Sequence, residues 1–390
     1  MKARPASWRG TPTKTALFYC LKSHENKTTL INQLRNMKEI QPLSGIKIID
    51  FTRLLPGPLG THLLSQLGAE VTKVESPKRM DYTRFYQPQI NGVSTLFHSL
   101  NCTKTQLMID YETSEGYRQL VEEIKKADVL IEQFRPGTMA AFNLSFEKVT
   151  KINPNIVYIS VTGYGQTGEK KDEAGHDLNY MATAGLLSLN KDENGKPVIP
   201  GFQIADIAGG AYMIVSACTS GLLAQKIHQK AQYIDLSIFD ATISIGAIAH
   251  GMLQGNADYC KTPFLSGFMV NYNVYECADG KWIALAAFEL KFWNSFCEMV
   301  HQPLWKTSNT EDLISGVFEK KKLEQLFKMK TRDEWAALSA NDDVCLSPVL
   351  EPEEIYGQKQ TKDRAIFKEV KFDDKTLKVY GKPYKTYTGL

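Results

Sequence analysis

Apolar and polar residues come in blocks along this chain, and from Ile46 the blocks read strand, helix, strand. The run I-K-I-I-D-F at 46–51 is short and mostly apolar, the pattern of a strand buried on both faces. L-P-G-P-L-G at 55–60 predicts a turn, and T-H-L-L-S-Q-L at 61–67 predicts a helix that Gly68 stops. Further strands are predicted at 69–75, 106–110, 127–132 and 155–161, with helices at 113–125 and 145–152 between the later ones. Strands alternating with helices imply a parallel sheet covered on both faces. Ligands of such sheets sit at the carboxyl ends of the strands, which here points to loops 52–60, 133–138 and 162–176.

Beyond the sheet the texture changes twice. Ile207–Gln225 carries no charged residue over 19 positions. Its length would suit a bilayer, but its glycines, serines and threonine, with Asp206 in front, favour a buried central helix, and no membrane partner is expected. A similar uncharged stretch occupies 241–257, and Q-Y-I-D-L-S-I-F-D-A at 232–241 reads as a strand turning into a helix. At 274–287 two strand-like runs joined by A-D-G predict a hairpin. A helix beginning around Glu289, helices at 311–329 and 332–340, and a return strand at 342–350 complete a smaller unit. The lysine-rich tail shows little periodicity.

The expected fold class is therefore α/β: a large Rossmann-like parallel-sheet domain at 38–236, completed by 350–390, and a smaller α+β domain at 258–349. Residues 1–37 form a basic N-terminal extension. Seven cations, Lys2, Arg4, Arg9, Lys14, Lys22, Lys27 and Arg35, face the single acid Glu25 there. Two readings of it stand: a mitochondrial transit peptide, or an upstream start that is not used, with Met37 opening the fold. The expected location is cytoplasmic on the second reading and mitochondrial on the first.

Composition narrows function by exclusion. With 43% hydrophobic and 23% charged residues, the chain is ordinary for a globular protein. A net charge of +3 gives no case for a nucleic-acid partner. Seven scattered cysteines without a C-x-x-C argue against a disulfide framework or a zinc site, and no metal is expected. No G-x-G-x-x-G follows any predicted strand and no P-loop is present, so the sheet is not read as dinucleotide-binding.

Candidate chemistry gathers between Ala174 and Asp206. A-G-H-D-L-N-Y at 174–180 and G-F-Q-I-A-D at 201–206 place His176 and Asp206 30 positions apart, enough to face one another from separate loops. Asp206 heads a glycine-rich helix start, where backbone N–H groups lack helical partners. A base beside free N–H donors is what proton abstraction next to a carbonyl needs. The bland alternatives are a turn for the H-D pair and an N-cap for Asp206. Arg135, in F-R-P-G at 134–137, either meets a phosphate or bonds its own loop carbonyls.

T-G-Y-G-Q-T-G at 162–168, A-G-H-D-L-N-Y and G-F-Q-I-A-D resemble, in order and spacing, the alpha-methylacyl-CoA racemase branch of the family III CoA-transferases. The resemblance runs from about Pro42 to Lys382. It implies a sheet that binds coenzyme A as a thioester substrate, with no permanently bound cofactor, and an interlocked homodimer with the site between the large domain of one chain and the small domain of the other. It implies His176 and Asp206 as bases on opposite faces of the alpha-carbon, and Glu289 as the carboxylate that orients and charges His176. Arg135, Pro136 and Gly137 become a coenzyme A loop, and Asp177 a support for the loop or the thioester. Two arginines of the family fall here at Ser76 and Ala141; Lys73, with Lys78 and Arg79 nearby, is the candidate replacement for the first. The expected activity is racemisation or epimerisation of a 2-methylacyl-CoA. The alternatives are a CoA-transferase with Asp206 as nucleophile and a binding protein that has lost turnover.

Overall fold

The computed structural model describes residues 37–192, 194–255, 264–372 and 375–388; the basic extension at 1–36 lies outside them. Six strands form the central sheet: β1 (Lys47–Asp50), β2 (Glu70–Glu75), β3 (Thr105–Met108), β4 (Val129–Glu132), β5 (Val157–Thr162) and β6 (Gln232–Ser237). All neighbours are parallel, in the order β3-β2-β1-β4-β5-β6. Alternation along each strand builds two cores at once. Ile48, Val129, Ile131, Val157, Ile159 and Val161 enter one cluster, and Ile49, Leu130 and Tyr158 the other. Side chains of successive strand residues point to opposite faces, so an unbroken apolar run is what a sheet covered on both sides requires.

Helices cover both faces. On the second, α2 (Ser114–Lys126) buries Leu120 and Ile124 one turn apart and starts on Thr113, whose hydroxyl accepts the Gly116 N–H at 3.1 Å. On the first lie α1 (Pro56–Gln66) and α5 (Tyr212–His228). The turn predicted at 55–60 is instead the first turn of α1, because proline fits the opening position of a helix, where no N–H is needed. With the π-helical turn Ala205–Ala211 before it, α5 makes a 24-residue helical stretch long and apolar enough to span a bilayer. It lies along β5 and β6 through Ile214, Cys218 and Gly221. The expectation of a buried central helix holds for one side only. A third of its most apolar window is buried, and Tyr212, Leu223 and Ile227 are exposed.

The smaller unit is an antiparallel sheet of β7 (Tyr272–Glu276), β8 (Trp282–Ala286) and β9 (Leu346–Pro348). It carries α7 (Leu290–Met299), α8 (Lys320–Phe327) and α9 (Arg332–Leu338), around a core that includes Trp293, Phe296, Phe327 and Trp335. The helix expected at 311–329 is split. A 3-10 turn at Thr310–Leu313 gives way to extended backbone, where Ser315 N–H bonds Phe268 O at 3.1 Å, and Gly316 takes φ +96° before α8 begins.

The tail holds more order than its composition suggests. Phe367–Phe372 and Lys375–Tyr380 pair as an antiparallel hairpin, β10 and β11. It docks on α1: Lys368 donates to Gln66 Oε1 at 2.8 Å, and buried His62 contacts Tyr380 O at 3.1 Å. Burial pushes the His62 imidazole down to about 4, so its neutral form donates through Nε2 to that carbonyl.

Candidate active site

The three signature segments meet in space. His176 precedes α4 (Asp177–Thr183), with its N–H bonded to Asn179 Oδ1 at 3.1 Å and its carbonyl accepting from Asn179 N at 2.8 Å. Its side chain is exposed. Asp177, the next residue, turns its carboxylate across the gap: Oδ1 accepts the backbone N–H of Asp206 at 3.0 Å. One hydrogen bond therefore ties the start of α4 to the start of the 205–211 turn, and His176 stands one residue from that contact.

Asp206 is partly buried at this junction, and its carboxyl is pushed up to about 7, first by burial and then by the negative charge of Asp177. Tyr180, on the same helix, is buried and bonds Gly175 O at 2.7 Å. Its ring explains two signature glycines. A Cβ at Gly163 would lie 2.5 Å from the Tyr180 hydroxyl, and one at Gly175 would lie 2.6 Å from the ring. The T-G-Y-G and A-G-H-D glycines thus let one tyrosine lock the histidine loop onto the end of β5.

The expected cluster of free donors beside Asp206 is arranged differently. The Asp206 N–H is spent on Asp177, and the Ile207 N–H on Gln203 O at 3.0 Å. Among the described residues, the first-turn N–H groups of Asp177 and Leu178 have no acceptor, and neither do those of Ile204 and Ala205 just before Asp206.

The other predicted residues scatter. Glu289 stands at the N-cap position of α7 in the small unit without a side-chain capping bond, and among the described residues no ion pair joins it to His176. Arg135 is exposed after β4; its guanidinium makes no bond to the loop carbonyls, and Pro136 and Gly137 line a cavity of about 280 Å³ beside it. The same cavity reaches Glu132, which is buried and accepts from Ser160 Oγ and from Phe134 N–H at 2.8 Å. Burial pushes the Glu132 carboxyl up to about 7.

Lys73 does not face a ligand. It is fully buried, donates to Thr52 O at 2.6 Å and pairs with Asp81 at 3.2 Å. Ser76 is buried too. Lys78 and Arg79, the other cations near that position, pair with Asp110 and Glu112 at 3.1–3.5 Å. The sequence reading passed over Arg53, half-buried in the loop after β1; its position at the carboxyl end of a central strand was the available signal. Among the described residues no group of three or more potential metal ligands forms.

Comparison with known proteins places this geometry. The model of CoA-transferase family III matches residues 43–388. The chain is 30% identical over 348 residues to human succinyl-CoA:glutarate CoA-transferase, covering 86% of this chain and 78% of that one. It is 29% identical over 340 residues to human alpha-methylacyl-CoA racemase, covering 83% and 82%. A solved CaiB/BaiF family protein from Brucella suis superposes with a TM-score of 0.73 at 25% identity, over 89% of this chain and 97% of that one.

Proposed function

The chain belongs to CoA-transferase family III, and from that premise we propose that it removes and replaces the alpha-proton of a 2-methylacyl-CoA thioester, as a racemase or epimerase. The observation that carries the reading is the junction of His176, Asp177 and Asp206, with the Asp206 carboxyl near neutrality. A group whose pKa lies close to the working pH serves equally as acid and base. In one direction His176 takes the proton from the alpha-carbon, the C–H electron pair moves into the thioester as an enolate, and protonated Asp206 delivers a proton to the opposite face. In the other direction the roles exchange. The N–H groups of Asp177 and Leu178 are suited to hold the enolate oxygen.

Glu289 enters this reading from a second copy of the chain. The exposed Tyr212, Leu223, Ile227, Ile245, Ile248 and Met252 support an intertwined homodimer that covers this apolar face. Sedimentation of the full chain should give twice 43.9 kDa; a stable monomer at micromolar concentration removes the shared site.

A second reading has its own support, since a relative of 30% identity is named as a CoA-transferase. There the Asp206 carboxylate attacks the donor thioester, the C–S bond breaks and coenzyme A leaves as its thiolate; the resulting mixed anhydride passes on to an enzyme thioester. The two separate in heavy water. One epimer of a 2-methylacyl-CoA, incubated with no acceptor acid, should gain deuterium at the alpha-carbon and yield the other epimer. No exchange, with transfer appearing once a carboxylic acid is added, would give the reaction to the transferase.

A further inference from the structure

The ladder between β7 and β8 ends at the Tyr272–Ala286 pair. Beyond it the chain leaves the sheet and reaches Glu289 through Ala287 and Phe288. No further rung of β7 meets the carbonyls of these two residues, and backbone carbonyls this close to a core need donors. Asn271, the residue before β7, supplies the missing rung with its side chain. Its Nδ2 donates to Ala287 O at 2.7 Å and to Phe288 O at 3.4 Å. Asn271 is fully buried. Its Oδ1 is buried as well and accepts no hydrogen bond among the described residues. An unpaired buried acceptor costs stability, so this position uses the two N–H donors of the amide and tolerates the rest of it.

The same stretch is pinned from other sides. The Ala286 N–H bonds Cys345 O at 2.9 Å, in the lead to β9, and the Phe288 N–H bonds Ala286 O at 2.8 Å. After Glu289, the N–H groups of Phe292 and Trp293 close on Glu289 O at 2.9 and 3.2 Å, and fully buried Trp293 anchors α7. The Glu289 backbone is therefore fixed before and after. Its side chain is exposed and makes no bond to cap its own helix. A carboxylate held in this way keeps its acceptor oxygens for a group outside the small unit. Burial pushes the Cys345 thiol up, and the charged groups around that thiol are Asp343, Glu289 and Lys291.

We propose that Asn271 is a positioning residue for Glu289: by holding the Ala287 and Phe288 carbonyls, it sets the direction in which the small unit presents the Glu289 carboxylate to the partner's His176. The assignment rests on the racemase reading above, in which Glu289 charges that imidazole. A carboxylate beside an imidazolium favours the charged form and raises its pKa. The gain depends on distance and alignment, so the backbone that aims the carboxylate matters as much as the carboxylate.

Alpha-deuterium exchange from a 2-methylacyl-CoA, followed against pH in the full chain with melting temperature alongside, tests it. Glu289→Gln removes the charge, so the rise of exchange with pH that follows loss of the His176 proton should move to lower pH. Asn271→Ala should move it the same way by less, with kcat down about tenfold and KM for the thioester within about twofold. In the Glu289→Gln background, Asn271→Ala should cost little more, because the two act as one unit. Asn271→Ser keeps one donor and should regain part of the kcat; it also stands in for an alanine variant that does not fold. A lower melting temperature with kcat and pH profile unchanged overturns the assignment, as does an equal loss of kcat in both backgrounds. Normal exchange in Glu289→Gln overturns it too, and leaves the racemase reading standing. No exchange in the wild type overturns that reading, and this assignment with it.

Discussion

Asp50 and Asp206 are both aspartates tied to the central sheet, and they are treated in opposite ways. Asp50 ends β1, fully buried, with every oxygen claimed: Thr52 donates to Oδ1 through N–H and hydroxyl at 2.8 and 2.5 Å, and Thr61 and Lys104 donate to Oδ2 at 2.6 and 3.1 Å. Burial opposes its charge, and Lys104 and Lys73 overcome it, so the carboxyl stays below its usual range. Asp206 is less buried and has only another acid, Asp177, for a charged neighbour, so its carboxyl rises to about 7. The first is a scaffold charge, spent on holding loops; the second is kept available. The same test removes Lys73 from the ligand set, since its charge is spent on Asp81. Charge type in the sequence says nothing of this; the partner decides.

Breaking the scaffold side should give the largest effect on stability. Lys104 donates to Asp50, Pro58 O, Thr61 Oγ1 and Asn101 Oδ1 at 2.7–3.1 Å. Lys104→Met leaves Asp50 buried without its ion-pair partner and should cost about 3–5 kcal/mol in denaturant unfolding. Pairing it with Asp50→Asn should cost less than the sum of the two single changes. An additive double mutant would show that the two charges do not act as a pair.

Glu132 sharpens the comparison because it lies between the extremes: buried and hydrogen-bonded, yet without a cation. Burial raises its folded pKa from the ordinary 4.5 to about 7. Proton binding therefore stabilises the fold. That contribution is fully present below about pH 4.5 and is lost as pH rises through 7. A shift of this size is worth roughly 3 kcal/mol. Glu132→Gln should remove the corresponding fall in melting temperature between pH 5 and pH 8. An identical fall in both proteins would show that Glu132 stays ionised throughout.

What the sequence made legible follows from burial. The β1, β4 and β5 runs are mostly apolar because both of their faces are covered, and the sheet was predicted from them. The hairpin at 367–380 was missed because its apolar positions alternate with lysines on a mostly exposed ribbon. Lys73 reads as a surface cation until Asp81 is seen to turn back onto it. His176 and Asp206 were found by motif, but the bond that joins their segments runs from the Asp177 side chain to the backbone N–H of Asp206, 29 residues away. Backbone donors leave no mark on a sequence.

The central claim is that His176 and Asp206 handle protons on opposite faces of one carbon. The most direct measurement is alpha-deuterium exchange from each epimer of a 2-methylacyl-CoA, taken separately, in His176→Ala and Asp206→Ala. Each variant should lose exchange from one epimer by about 10²–10⁴, and the epimer that suffers more should differ between the two variants. Near-normal exchange from both epimers in folded His176→Ala would contradict the account.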